Sequence, residues 1–117
     1  NFVKEIHVVA LQNEVKELLF ILEKGFKNNI KIKTINIKNS TEEQFDAVWM
    51  HNTLPAVLSE PLTYLYEPNS AILKAGLFNE VSHQLNLYKL NINSHLYTLN
   101  GAFWRIPEPS ILYSCMS

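Results

Sequence analysis

Glycine is scarce in this chain. Its 117 residues hold three, Gly25, Gly76 and Gly101, and none is close enough to another to share a turn. A backbone that must lie against a pyrophosphate or an adenosyl group uses a glycine-rich turn leading into a helix, so the chain is not a complete nucleotide-binding domain. Cysteine is scarcer still. Cys115 stands alone near the end, which excludes an internal disulfide and a thiol cluster for a metal, and leads to the expectation of a reducing cytoplasm. The histidines His7, His51, His83 and His95 form no i, i+4 or close-loop pair, so no metal site is expected. There is no G-x-S-x-G elbow to expose a nucleophilic serine. Charge of one sign is also lacking, with ten Lys and Arg against eleven Asp and Glu, so any nucleic acid would have to be met by a local patch. The longest apolar run covers residues 18–22, far below the ~20 residues of a membrane span. No basic-then-apolar leader opens the sequence, and no membrane partner is expected.

What is present is the composition of a globular protein: 47% hydrophobic and 18% charged residues. A chain of this length buries about two-thirds of its unfolded surface. That suffices for one compact domain, or for two very small units sharing a core. The chain starts at Asn1 and enters a strand pattern within a few residues, which leads to the expectation of a piece of a longer polypeptide.

Residues 2–11, FVKEIHVVAL, are rich in β-branched side chains and predict a strand with burial on both faces at its end. Next, Val15, Leu18, Leu19, Leu22 and Phe26 fall at i, i+3, i+4, i+7 and i+11, with Asn13 placed to cap the first turn. The spacing predicts an amphipathic helix ending near Gly25. The alternating stretch at residues 30–38 predicts a second strand, with a change of phase near Thr34 at a bulge or where one face becomes covered. Strand, helix and strand in this length make a crossover unit, half of a ferredoxin-like or similar open sheet.

The segment FDAVWM, after polar punctuation, predicts a third strand. Pro55 and Pro61 then interrupt any long element, which places a boundary between a unit at residues 1–50 and one at residues 51–117. Leu73, Leu77, Val81 and Leu85 at i+4 steps predict one helix over residues 70–85, with Asn69 or Ser70 as its cap. Two short strands are expected after it, split by Gly101 and the Pro107-Glu108-Pro109 turn, with Cys115 at a frayed end.

Lys31, Lys33 and Lys38, preceded by Lys24 and Lys27, make a local basic surface that suits phosphates, although an ordinary edge strand protected by lysines is the favoured reading. Tyr64, Tyr66, Phe78, Tyr88, Tyr97, Phe103 and Trp104 can stack on bases if they share an exposed face, and otherwise form core. In YLYEPNSAILKAG, residues 64–76, Pro68 fixes a turn, and Ala71, Ala75 and Gly76 keep one helix face small enough for close approach of a backbone or a ligand. Glu67 suits the positive end of that helix, and Lys74 one turn in suits an anionic partner.

Residues 65–98, with Tyr66-Glu67-Pro68-Asn69, Lys74-Ala75-Gly76 and Asn93-Ser94-His95-Leu96-Tyr97 in that order, resemble the THUMP-like domain at the C-terminus of a group of bacterial class I S-adenosylmethionine-dependent methyltransferases. Residues 6–22, IHVVALQNEVKELLFIL, are similar to the small ferredoxin-like segment that precedes that domain in Bacteroidetes members of the group. The resemblance implies an α/β (α+β) fold, a small ferredoxin-like βαβ unit followed by a THUMP-like helix-and-strand domain. It implies a parent methyltransferase whose catalytic residues and S-adenosylmethionine lie in a Rossmann-like domain before Asn1, with no cofactor held here. It implies RNA, tRNA or rRNA, as substrate and the upstream catalytic domain as partner. Substrate contacts are then expected at Tyr66, Asn69, Lys74, Gly76, His95 and Tyr97, and phosphate contacts at Lys31 and Lys33. The other reading is a protein-interaction or dimerisation module that uses the Ala71-Ala75-Gly76 face, on the catalytic domain or in a homodimer.

Overall fold

The computed structural model describes residues 2–49 and 54–100, together with the backbone of residues 112–115. Its first half is a four-stranded sheet of β1 (Val3–Leu11), β2 (Glu14–Leu22), β3 (Lys31–Lys38) and β4 (Thr41–Val48), in the order β2-β1-β3-β4. β1 runs parallel to β3, while β1–β2 and β3–β4 are antiparallel hairpins.

The helix expected over residues 13–26 is therefore a strand. Its apolar residues are consecutive, and a run of five satisfies helical and strand spacing alike. The turn decides between them. Gln12 and Asn13 both have positive φ, at 50° and 62°, as the two central residues of a type I′ turn require, and that turn folds the chain back as a hairpin. Hydrogen bonds from Gln12 N to the Ile37 carbonyl and from Glu23 N to the Phe2 carbonyl tie down its two ends. The expected βαβ crossover thus becomes β1, β2 and β3, with the hairpin strand returning the chain to the start of β3.

β3 keeps one phase throughout. It pairs with β1 and β4 without any register shift, so the irregularity expected near Thr34 is absent. Ile32, Thr34 and Asn36 all point into the core. The apparent slip arises because two of the three inward residues are polar. The sheet's irregularities lie instead between β1 and β2, at Val3/Glu5 and Val9/Ala10. On the inward face, rows run across the sheet: Phe20–Ile6–Ile32–Ala47, Leu18–Val8–Thr34–Phe45 and Val15–Ala10–Asn36–Glu43.

The second half holds β5 (Tyr64–Pro68), α1 (Ser70–Ala75), α2 (Phe78–Leu85), β6 (Tyr88–Lys89), β7 (Tyr97–Leu99) and β8 (Leu112–Cys115), with a sheet in the order β6-β7-β5-β8. The single helix expected over residues 70–85 is broken at Gly76. That residue has φ 71°, and its N–H bonds back to the carbonyls of Ile72 and Leu73, which ends α1 as a left-handed C-cap does. Cys115 pairs with Leu65 in β8 rather than lying at a frayed end. Gly101 and the Pro107-Glu108-Pro109 turn lie outside the described residues.

The two halves share one core. Ile32, Phe45 and Ala47 of the first sheet pack with Tyr66, Ile72, Leu77, Val81, Leu87 and Tyr97 of the second half. A smaller cluster sets Ala71 of α1 on Val8 and Ala10 of β1. The architecture is mixed α+β, as expected. Among the described residues no helix is long and apolar enough to cross a membrane.

Candidate functional site

The block from Tyr66 to Gly76 is the joint between the two halves. Pro68 and Asn69 are buried as the chain leaves β5 for α1. The Asn69 Oδ1 accepts from the Ile72 N–H at 3.1 Å, capping the helix, while its Nδ2 donates to Glu43 Oε1 at 3.0 Å. The same carboxylate oxygen accepts from Asn36 Nδ2 at 2.9 Å. Asn36 Oδ1 accepts from the Asn13 N–H at 2.8 Å, and Asn13 Oδ1 accepts from the Ser70 N–H at 2.7 Å. A closed polar circuit thus links the β1–β2 turn, β3, β4 and the start of α1. Glu43 sits at the end of the inward row Val15–Ala10–Asn36–Glu43, and a carboxylate can be buried there because two side-chain amides aim at it.

Ala71 and Ala75, expected to offer a small open face, are used internally. Ala71 is fully buried on Val8 and Ala10, and Ala75 packs beside it. Their size lets α1 lie close on the sheet. Gly76 owes its identity to positive φ, not to crowding, for a Cβ there would meet nothing within 4 Å.

Of the candidate contact residues, Tyr66, Asn69 and Tyr97 are buried, whereas Lys74, Gly76 and His95 are exposed. The Tyr97 hydroxyl donates to the Phe78 carbonyl at 2.7 Å, fixing β7 to the start of α2. Burial, with Glu80 adding to it, pushes that hydroxyl far above the ordinary tyrosine range. Burial, with Tyr64 adding, also raises Tyr66. His95 Nε2 lies 3.1 Å from Glu67 Oε2, so Glu67, expected to serve the helix end, instead partners a histidine at the surface. Lys31 and Lys33 alternate with the inward Ile32 and Thr34 and so project from the opposite side of the sheet from α1. The two groups of candidates do not converge. Lys33 Nζ lies 3.8 Å from Glu5 Oε1, which also accepts from His7 Nε2 at 2.8 Å. The His7 hydrogen bond, helped by the charge of Lys33, holds the Glu5 carboxyl below its ordinary range.

Three features escaped the sequence reading. Asn36 and Glu43 occupy inward positions in strands whose other inward residues include Ile32, Phe45 and Ala47, and that phase was the available signal. Lys89 is buried, donates from Nζ to the Ile92 carbonyl at 2.7 Å and lies 5.4 Å from the centre of the Phe78 ring. Its burial lowers its pKa. The third is β2, whose residues Leu18, Leu19, Phe20, Ile21 and Leu22 are all exposed. Among the described residues no group of three His, Cys, Asp or Glu side chains is arranged to hold a metal.

This arrangement, a β-strand entering two short helices and returning through β6 and β7, has a counterpart among known domain families. Residues 64–107 match a ferredoxin-like domain. The ferredoxin-like part thus coincides with β5 through β7, whereas the resemblance read from sequence set a ferredoxin-like segment at residues 6–22 and a THUMP-like domain over residues 65–98. The chain is also similar to a solved structure from Porphyromonas gingivalis W83, described as that of a candidate methyltransferase. The two are 38% identical with a TM-score of 0.73, over 86% of this chain and 27% of that one. The chain therefore spans about a quarter of the length of this relative. No curated protein matches it.

Proposed function

We propose that the chain is the accessory, non-catalytic region of a class I S-adenosylmethionine-dependent methyltransferase acting on RNA. The observation that carries this reading is its likeness to the Porphyromonas gingivalis protein, at 38% identity over 86% of this chain but only 27% of that one. An accessory region conserving its own fold inside a larger enzyme would give that asymmetry. The residues described here do not fit the adenosyl cofactor. Gly25 and Gly76 stand singly at positive φ, 78° and 71°, and neither belongs to a glycine-rich turn leading into a helix of the kind that lets a backbone lie against such a cofactor. In this reading S-adenosylmethionine is bound by the remainder of the polypeptide.

RNA contact would fall to the exposed Lys74 at the end of α1, and to the exposed Lys31 and half-buried Lys33 on the other side of the sheet. The THUMP-like resemblance of residues 65–98 is the ground for naming RNA. A methyl-transfer assay with labelled S-adenosylmethionine and tRNA or rRNA, using the polypeptide of the whole reading frame, tests the proposal. Transfer to RNA, weakened by Lys74→Ala or by Lys31→Glu with Lys33→Glu, is the expected result. Cofactor binding without transfer to any RNA defeats the RNA element, and absence of cofactor binding defeats the whole reading.

The second reading, an interaction module, is favoured by one observation. Five consecutive large apolar side chains of β2 face solvent, more than scattered surface hydrophobics account for.

A further inference from the structure

We propose that β2 is a docking strand for the remainder of the polypeptide, which pairs a strand with its open edge and covers both of its faces with apolar side chains. The proposal rests on the reading that this chain is one region of a larger methyltransferase-related protein.

Among the described residues β2 lies at the edge of its sheet, with β1 on one side only. A nine-residue edge strand presents a row of backbone donors and acceptors to any strand that approaches it, and natural edges are blunted with lysines, prolines, bulges or short length. β2 carries charges only in its first half, at Glu14, Lys16 and Glu17, while its pairing with β1 shifts once in each half, between Val9 and Ala10 and between Val3 and Glu5. From Leu18 to Leu22 it is uncharged, and those five side chains are 39–66% exposed.

Their distribution over two faces narrows the occupant. Leu18 and Phe20 lie opposite Val8 and Ile6, on the side where α1 packs, while Leu19 and Ile21 lie opposite His7 and Glu5 on the other side. α1 has six residues. It covers the Val15–Ala10–Asn36–Glu43 end of the inward face and leaves Phe20 open. A half-buried strand alternates apolar with polar, whereas a strand covered on both faces reads as a continuous apolar run. β2 has the second pattern with the exposure of neither. Val3, which pairs with Leu22, also lines a cleft of about 420 Å³ with Phe2, Phe26 and Ile30 and the polar Lys27 and Asn28. A second copy pairing edge to edge would satisfy the backbone but lay only its own β2 alongside, with both faces still open. An occupant with a strand and flanking layers is needed. Some three-quarters of the similar Porphyromonas gingivalis chain lies beyond the matched 27%, ample for one.

The test uses the polypeptide of the whole reading frame. Leu19→Cys and Phe20→Cys, made singly, place a thiol on either face of β2, and labelling of each is followed by peptide mass spectrometry. Both are expected to react about a hundredfold slower than in denaturant, and all amides of residues 14–22 in the unsubstituted protein to resist hydrogen exchange beyond the alternate set bonded to β1. The exchange measurement stands alone if either variant fails to fold. Rapid labelling at either position, or fast exchange of alternate amides along β2, overturns the proposal. Protection that disappears on dilution assigns the surface to a second copy and equally overturns it. Protection in a protein that binds no S-adenosylmethionine keeps the docking strand and defeats only the methyltransferase reading.

Discussion

Glu43 Oε1 stands 3.0 Å from Asn69 Nδ2, joining residues 26 apart in sequence across the seam between the two halves. Through Asn36, Asn13 and the Ser70 N–H, the contact closes a circuit that holds the β1–β2 turn, the first sheet and the start of α1 in one geometry. Asn69, which the sequence offers as a ligand contact and a helix cap, is occupied on both sides of its amide.

Asn69→Ala is expected to cost about 2–3 kcal/mol, the sum of a lost N-cap and of a buried carboxylate missing one donor. Chemical denaturation measures it. Glu43→Gln should cost less, about 1–2 kcal/mol, because its amide oxygen still accepts. A double-mutant cycle should give a coupling of about 0.5–3 kcal/mol, as for residues in one network; additive effects would show that the circuit is not a unit.

Gly76→Ala should lose about 1–2 kcal/mol from the left-handed backbone alone, since its Cβ has open space. Gly76→Asn, which tolerates that conformation, should lose less. Equal losses would mean that side-chain contact matters there, which thermal melts of the two variants decide.

Glu5 has a folded pKa below its ordinary 4.5, chiefly through the His7 hydrogen bond and then the charge of Lys33. A carboxyl depressed on folding contributes stability above its unfolded value, and that contribution is lost as pH falls through the folded one. The stability gap between wild type and Glu5→Gln should therefore be present at neutral pH and close in acid. A gap unchanged from pH 7 to below the carboxylate range would contradict this.

Tyr97 titrates the other way. Burial raises its hydroxyl above the ordinary 10.0, so its contribution is complete below that value and is lost as alkali rises beyond it. Tyr97→Phe should cost about 1 kcal/mol at neutral pH through the hydrogen bond to the Phe78 carbonyl. It should also blunt alkaline unfolding, followed by circular dichroism against pH.

The sequence disclosed elements whose signal was local. The strands at residues 2–11 and 30–38, the Asn69 cap and the helical character of residues 70–85 are read correctly because β-branched alternation, a capping amide and i+4 spacing act within a few residues. β2 was misread because its five apolar residues carry no period, and only pairing with β1 through the Gln12–Asn13 turn selects a strand. Gly76 was seen as a small residue when it is a helix stop. The joint was hidden because Asn36 and Glu43 look like interruptions of their strands until Asn69 is brought to them. The Ala71–Ala75 face was legible as small, but not that β1 already fills it.

Cofactor binding tests the central claim most directly. By calorimetric titration with S-adenosylmethionine, the polypeptide of the whole reading frame should bind and this 117-residue chain alone should not. Binding by the chain alone, or none by the whole polypeptide, would contradict the account of an accessory region of a methyltransferase.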